Sequence, residues 1–402
     1  MTVKERILAT LQGKPTDVIP FVPRLDIWYN ANSKASTLPH PYEKATLQEI
    51  TDELGLGYHA IVPTFKDFID SDGDLDVGLG LYHLKNHPYR LRFHNIKRSY
   101  RRDASGKLCV EYETPKGKIT TTVVHTEEMK KSGMTLYVIR EHAIKSYEDY
   151  AAMAYILENA EVVPYYDDFA KFKDEFIGHR GVAVALSAMF AGAGHYLVKE
   201  LMSIDTFYYE MIDRPDEMTA FVQAIKPFCN KLFNAALNSP AEIVLSGANY
   251  DTSITAPNMF EEYILPDLQE QSERLHSVGK YLATHTDGEN TGLLPLYARA
   301  GFDIADSICP SPMTKISLEE TRRVFENSNI TIWGGIPSIS VLESIMDDYT
   351  FEKLIDDTFS CIGAGNRMIL AIADTVPPAT KFERILHIAK KAREFGPVVS
   401  KN

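Results

Sequence analysis

His285 and Asp287 stand one residue apart in the stretch His285-Thr286-Asp287-Gly288, at the end of an apolar run. On a strand, positions two apart share a face, so the imidazole and the carboxylate can converge on one point. With a third ligand from elsewhere in the chain, such a pair can hold zinc and leave a position open for substrate. The same spacing also serves a plain hydrogen-bonded His–Asp pair, and at this level both readings stand. Other apolar runs end in Asn249-Tyr250-Asp251 and in Ala373-Asp374, while another contains Asp306 and is followed by Cys309; Arg24 and Asp26 lie in the first run. Carboxylates held near other acids suit general acid–base work. Asp251 and Asp306 are therefore the candidate catalytic groups, and Arg24, Asp26, Asn249 and Tyr250 the candidate substrate contacts. Cys309 reads as a small buried hydrophobe. The AGAG stretch at 191–194 makes a poor phosphate cradle, since no lysine follows it.

These residues need a scaffold that gathers strand ends. Eight short apolar runs occur at 18–27, 58–65, 181–188, 242–249, 280–287, 302–308, 330–335 and 367–374, and from the third onward each is followed by an amphipathic stretch. Strands alternating with helices predict a parallel sheet, and eight of them predict closure into a (β/α)8 TIM barrel, whose reactive groups sit at the C-terminal ends of the strands. Residues 87–126 break the rhythm with period-2 alternation and the turns ASGK and TPKGK, which predicts an antiparallel meander inserted after the second strand. Its basic residues (Arg90, Arg92, Lys97, Arg98, Arg101, Arg102, Lys107) suit a solvated sheet face or a docking surface. Residues 146–180 read as a helical excursion back to the barrel, and the whole of 1–402 as a single domain.

Composition narrows the partners. A formal net charge of −13 argues against nucleic-acid or anionic membrane surfaces. No apolar run approaches the roughly 20 residues of a membrane span, and the opening MTVKERILATLQGKPTD reads as a helix ending near Gly13 and not as a signal peptide. Four widely spaced cysteines without a CxxC pair fit a reduced, cytoplasmic protein. A homodimer is compatible with all of this.

The order of motifs resembles the uroporphyrinogen decarboxylase superfamily, which includes corrinoid-dependent methyltransferases. The resemblance covers most of the chain: KERILATLQGKPTDVIPF, NMFEEYILPDLQEQSERLHSVGK leading into THTDG, then GFDIADS, IWGGIP and the VPPAT turn. The decarboxylase branch carries an Arg-Gln-Ala-Gly-Arg motif where this chain reads Arg24-Leu25-Asp26-Ile27-Trp28, so a polycarboxylate substrate would meet an acidic mouth. The methyltransferase branch binds zinc through His-x-Cys and a later Cys. Aligned on these landmarks, the resemblance puts His285, Asp287 and Asp374 at the three ligand positions, with both thiols replaced by carboxylates. Carboxylates are legitimate but harder zinc ligands. Zinc is the expected ion; without one, the same residues would hydrogen-bond substrate directly.

The resemblance implies a methyltransferase that moves a methyl group from a small methylated donor to the cob(I)alamin of a partner corrinoid protein. Hard oxygen ligands favour an oxygen-bearing donor, a methoxylated aromatic, and hence O-demethylation. In that reaction Asp251, its pKa raised by surrounding charge and burial, would protonate the leaving oxygen, while Arg24 would orient a ring carboxylate or pair with Asp26. The alternative is a decarboxylase or lyase of the uroporphyrinogen decarboxylase type with a smaller substrate; a third reading, a barrel that only binds, leaves the strand-end acids without work.

Overall fold

A computed structural model describes residues 1–62, 65 and 67–399. Its thirteen strands are β1 (Ile61–Val62), β2 (Tyr89–Phe93), β3 (Lys97–Arg102), β4 (Lys107–Thr114), β5 (Gly117–Val124), β6 (Val138–Glu141), β7 (Ala160–Pro164), β8 (Val184–Ala188), β9 (Ile243–Ala248), β10 (Tyr281–His285), β11 (Ile304–Ile308), β12 (Thr331–Pro337) and β13 (Met368–Ala373). β1 and β8 to β13 form a parallel sheet in that order. The segment 20–22 lies between its two edges: Phe21 bridges Leu370 of β13 in parallel, and the Phe21 carbonyl accepts from the Gly57 amide at 2.9 Å, just ahead of β1. The fold is a (β/α)8 barrel.

The expected first strand, 18–27, is reduced to that bridge, and a helix, Asp26–Ala35, takes over its end. Pro20 and Pro23 supply no N–H to a ladder, which limits pairing with β13 to the amide of Val22 and the carbonyl of Pro20, both bonded to Leu370. In the second run only Ile61–Val62 forms a strand, and residues 63, 64 and 66 lie outside the described residues.

Alternate residues of the strands fill the barrel. Val22, Val184, Leu186, Ile243, Leu245, Ala283, Ile304, Trp333, Ile369 and Ala371 form one buried cluster, closed beneath by Ile7 and Leu11 of the first helix, Val3–Leu11. The other faces of the strands pack on the helices in a second, larger cluster. With both faces covered, the strands read as continuous apolar runs.

The insertion is antiparallel and follows the second strand. It runs further than 126, because β6 adds to β3–β4–β5. β2 leaves the meander and pairs with β7, a strand inside the stretch 146–180 that reads as helical. The basic face is only partly solvated: Arg98 reaches Asp76 at 2.6 Å, and Arg102 reaches Asp74 at 2.6 Å. Asp76, fully buried, also accepts from His83 Nε2 at 2.6 Å and from the Tyr112 hydroxyl at 3.0 Å. These bonds join the meander to the loop after β1. None of the described helices is long and apolar enough to cross a membrane.

Behind the barrel, the glycines at 191–194 serve packing: a Cβ on Gly192 would collide with the Asp267 carboxylate. His195, buried there, accepts from the Ala191 amide on Nδ1 at 3.1 Å. Burial, helped by the charge of Lys199, lowers its pKa to about 3. The unfolded chain takes up this proton near about pH 6.5 and the native state does not, so stability present above that pH is lost as pH falls towards 3. His195→Asn keeps an acceptor without titrating. Urea denaturation between pH 6 and 5 is expected to show a stability slope shallower than wild type by about 1.4 kcal/mol per pH unit. Equal slopes would mean that the native imidazole is protonated.

Candidate functional site

Period-2 alternation builds the site on the core. Two residues beyond Val22, Ala283 and Ile304, which lie inside the barrel, come Arg24, His285 and Asp306. They form the next layer up, towards the C-terminal mouth. β10 and β11 pair with His285 opposite Asp306, and the imidazole Nδ1 meets Asp306 Oδ2 at 2.6 Å. The other oxygen, Oδ1, is 2.9 Å from Nε2 of His59, which reaches in from the segment before β1. Asp374, one residue past β13, accepts from Arg24 Nη1 at 3.2 Å and from the Ser307 hydroxyl at 3.3 Å, and its Oδ1 lies 3.4 Å from His285 Nε2. Asp287 sits in the loop after β10, and ligand atoms of His285, Asp287 and Asp374 all fall within 4.8 Å of one another.

The charges compensate unevenly. Burial works against ionised Asp306, but His59 and His285 outweigh it and hold the carboxyl below its usual range. Burial also opposes ionisation of Asp374, and the neighbouring His285 and Arg24 overcome it. Asp287 is left higher than usual: burial dominates, and the attraction of His285, though larger than the repulsion from Asp374, does not overcome it. For His285, burial disfavours the cation, yet Asp374 and the bond to Asp306 raise its pKa to about 8. Asp287 is the carboxylate that this pattern leaves least compensated.

His285, Asp374, Arg24 and Asn249 open onto a cavity of about 130 Å³. Ile27, Phe65, Leu186, Met189 and Leu245 make its apolar walls, and Met134, Thr135 and Leu136 of the insertion contribute to its lining. Asn249 adopts φ 60°, a left-handed conformation that asparagine tolerates, and its amide bonds the His285 carbonyl at 2.9 Å.

Other residues expected at the site lie elsewhere. Tyr250 is fully buried behind the barrel, its hydroxyl on Thr284 Oγ1 at 2.8 Å and its ring packed on Phe260 and Tyr297. The left-handed turn at Asn249 reverses the chain and sends the next side chain outward. Asp251 organises its own loop, accepting from the Ser253 amide at 2.8 Å and from the Glu289 amide at 3.0 Å. Burial alone would raise its pKa; the bond from the Ser253 hydroxyl, with those two amides, lowers it, opposite to the expected raised acid. Asp26 accepts from the Tyr58 hydroxyl at 3.1 Å, while the hydrogen-bonded partner of Arg24 is Asp374. Cys309 is buried, its thiol pushed up to about 12 by burial and by Asp287. His59 escaped the sequence reading, because a strand apolar on both faces does not announce which face is the barrel interior.

The donor set suits a divalent ion. His285 Nε2 and Asp374 Oδ1 are 3.4 Å apart, close to the separation of two ligands around tetrahedral zinc with bonds of about 2.1 Å. The widest separation in the set, up to 4.8 Å, needs Asp287 or a neighbour to close in by roughly an ångström. A dication would also relieve the repulsion between Asp287 and Asp374.

Comparison with known proteins follows the same lines. A methyltransferase structure from Methanosarcina mazei aligns over 98% of this chain and 98% of its own with a TM-score of 0.57 at 17% identity, a likeness of fold. No curated protein matches the sequence. The family profile described as uroporphyrinogen decarboxylase (URO-D) matches residues 137–395 and so spans β6 to β13, with His285, Asp287, Asp306 and Asp374 inside it. The chain belongs to the uroporphyrinogen decarboxylase family.

Proposed function

We propose that the protein is a methyltransferase that passes a methyl group from a small methoxylated aromatic to cob(I)alamin carried by a partner protein. The observation that carries this reading is the juxtaposition of His285, Asp374 and Arg24 with an otherwise apolar cavity of about 130 Å³. Apolar walls suit a ring and its methyl group, and the polar side suits the oxygen that leaves. The fold likeness to a methyltransferase supports the choice of reaction, and the lone Arg24 in place of a cationic pocket weighs against a polycarboxylate.

In the transfer the methyl–oxygen bond breaks with its electron pair staying on oxygen, and the carbon bonds to cobalt as cob(I)alamin becomes methylcob(III)alamin. The leaving phenolate has a conjugate acid of pKa about 10, so its charge needs help. His285, Asp287 and Asp374 would hold a zinc ion, which when bound supplies Lewis acidity towards that oxygen. Ile27, Leu186, Met189 and Leu245 would exclude water and orient the ring, and Asn249 offers an amide at the rim. Arg24 is already engaged with Asp374 and keeps that carboxylate ionised. Asp251, tied into its loop, takes no part in proton delivery.

Anaerobic mixing of the zinc-loaded enzyme with free cob(I)alamin and a panel of methoxybenzoates and methoxyphenols is expected to yield the visible spectrum of methylcobalamin. Methyl transfer from a methylamine or thiol but from no aryl ether would overturn the donor class. Carbon dioxide release from a carboxylated substrate, with no methylcobalamin, would favour a decarboxylase.

A further inference from the structure

We propose that His59 is a positioning residue that, through Asp306, fixes the tautomer and orientation of His285 so that Nε2 faces the cavity. Its use as a metal ligand rests on the function proposed above; the tautomer does not.

The geometry divides one carboxylate between two imidazoles. Asp306 Oδ1 takes His59 Nε2 at 2.9 Å, and Oδ2 takes His285 Nδ1 at 2.6 Å. All three side chains are buried. An ionised carboxylate only accepts, so each facing nitrogen must carry its hydrogen. In the neutral imidazole that leaves the lone pair of His285 on Nε2, the atom 3.4 Å from Asp374. His59 cannot easily turn the other way: its ring lies edge-on against Trp333 with centroids 4.6 Å apart, and among the described residues its Nδ1 meets no hydrogen-bond partner. A hydrogen on Nδ1 would be buried without an acceptor.

The brace also spans the barrel. His59 precedes β1, whereas Asp306 lies on β11, four strands away in sheet order. Without His59, Oδ1 loses the donor that stops the carboxylate rotating, and Asp306 can no longer hold His285 Nδ1–H in one direction. Partners of this kind behind a ligand histidine change metal affinity by about 10–100-fold.

Two readouts test this on the full-length protein. In metal-free enzyme with 15N-labelled histidine, held at a pH above about 8 so that the His285 ring is neutral, its imidazole signals, assigned by their loss in His285→Asn, should report the Nδ1–H tautomer. His59→Ala should convert them to a mixture, and His59→Gln, whose amide nitrogen falls near the place of Nε2, should restore them. Zinc competition against a chromophoric chelator should show binding weakened by about 10–100-fold in His59→Ala and largely recovered in His59→Gln. If His59→Ala does not fold, His59→Asn, polar but too short to reach Oδ1, takes its place. An unchanged tautomer in the variant that lacks the donor overturns the proposal, as does His59→Gln behaving like His59→Ala. A wild type that binds no zinc, with the tautomer still responding to His59, ends the metal reading and upholds the brace.

Discussion

Asp374→Ala is expected to abolish methyl transfer and to cut zinc retained after dialysis, with an affinity loss larger than the roughly 100-fold that loss of a supporting partner can cause. The carboxylate is the proposed ligand from β13, and its oxygen is the one that lies 3.4 Å from His285 Nε2. Its removal also strips Arg24 of its acceptor and leaves the guanidinium facing the cavity. Asp374→Asn separates the two effects: the amide preserves size and can still accept from Arg24, but it is a poor ligand for zinc. Both variants should therefore lose metal, and Asp374→Asn should keep wild-type thermal stability. Full metal content in either variant would remove Asp374 from the site. That result would point to Asp306 or Cys309 as the ligand instead, although both oxygens of Asp306 already face imidazoles.

Asp76→Ala should produce the largest loss of stability, about 3 kcal/mol by urea denaturation. The fully buried carboxylate accepts from His83, Arg98 and Tyr112 together, and so ties two strands of the meander to the loop after β1. Breaking a buried pair costs about 3–5 kcal/mol when the survivor is stranded. Here the survivors can partly turn to water, since the Arg98 side chain is 33% exposed, which places the cost at the lower end. Arg98→Ala should cost less, because His83 and Tyr112 still satisfy the carboxylate. If Asp76→Ala unfolds at the same urea concentration as wild type, the network does not anchor the meander.

Much of this architecture is legible in the sequence because the physics is local. From the third run to the eighth, apolar strand and amphipathic helix alternate as written, and the ASGK and TPKGK turns mark the hairpins of the meander. The failures have local reasons too. Prolines 20 and 23 empty the first run of ladder donors, although its apolar character resembles a strand. β6 and β7 are short and only partly buried, so they carry little hydrophobic signal. His285, Asp287 and Asp374 could be picked out because strand ends and a family landmark coincide. Tyr250 could not be excluded, because an asparagine permits the left-handed turn that redirects it but does not require one. His59 could be placed only once the interior face of its segment was known.

The lining of the cavity is drawn from more of the chain than its acids are. Met134, Thr135 and Leu136 face the cavity from the insertion, and Ile27 and Phe65 from the first quarter of the chain; all five precede residue 137, where the match to the family profile begins. The strand-end acids lie inside that match. The wall is thus only partly encoded with the acids, since Leu186, Met189 and Leu245 lie inside the match as well. Changes at the five earlier positions can alter which small molecule fits while leaving His285, Asp287 and Asp374 in place.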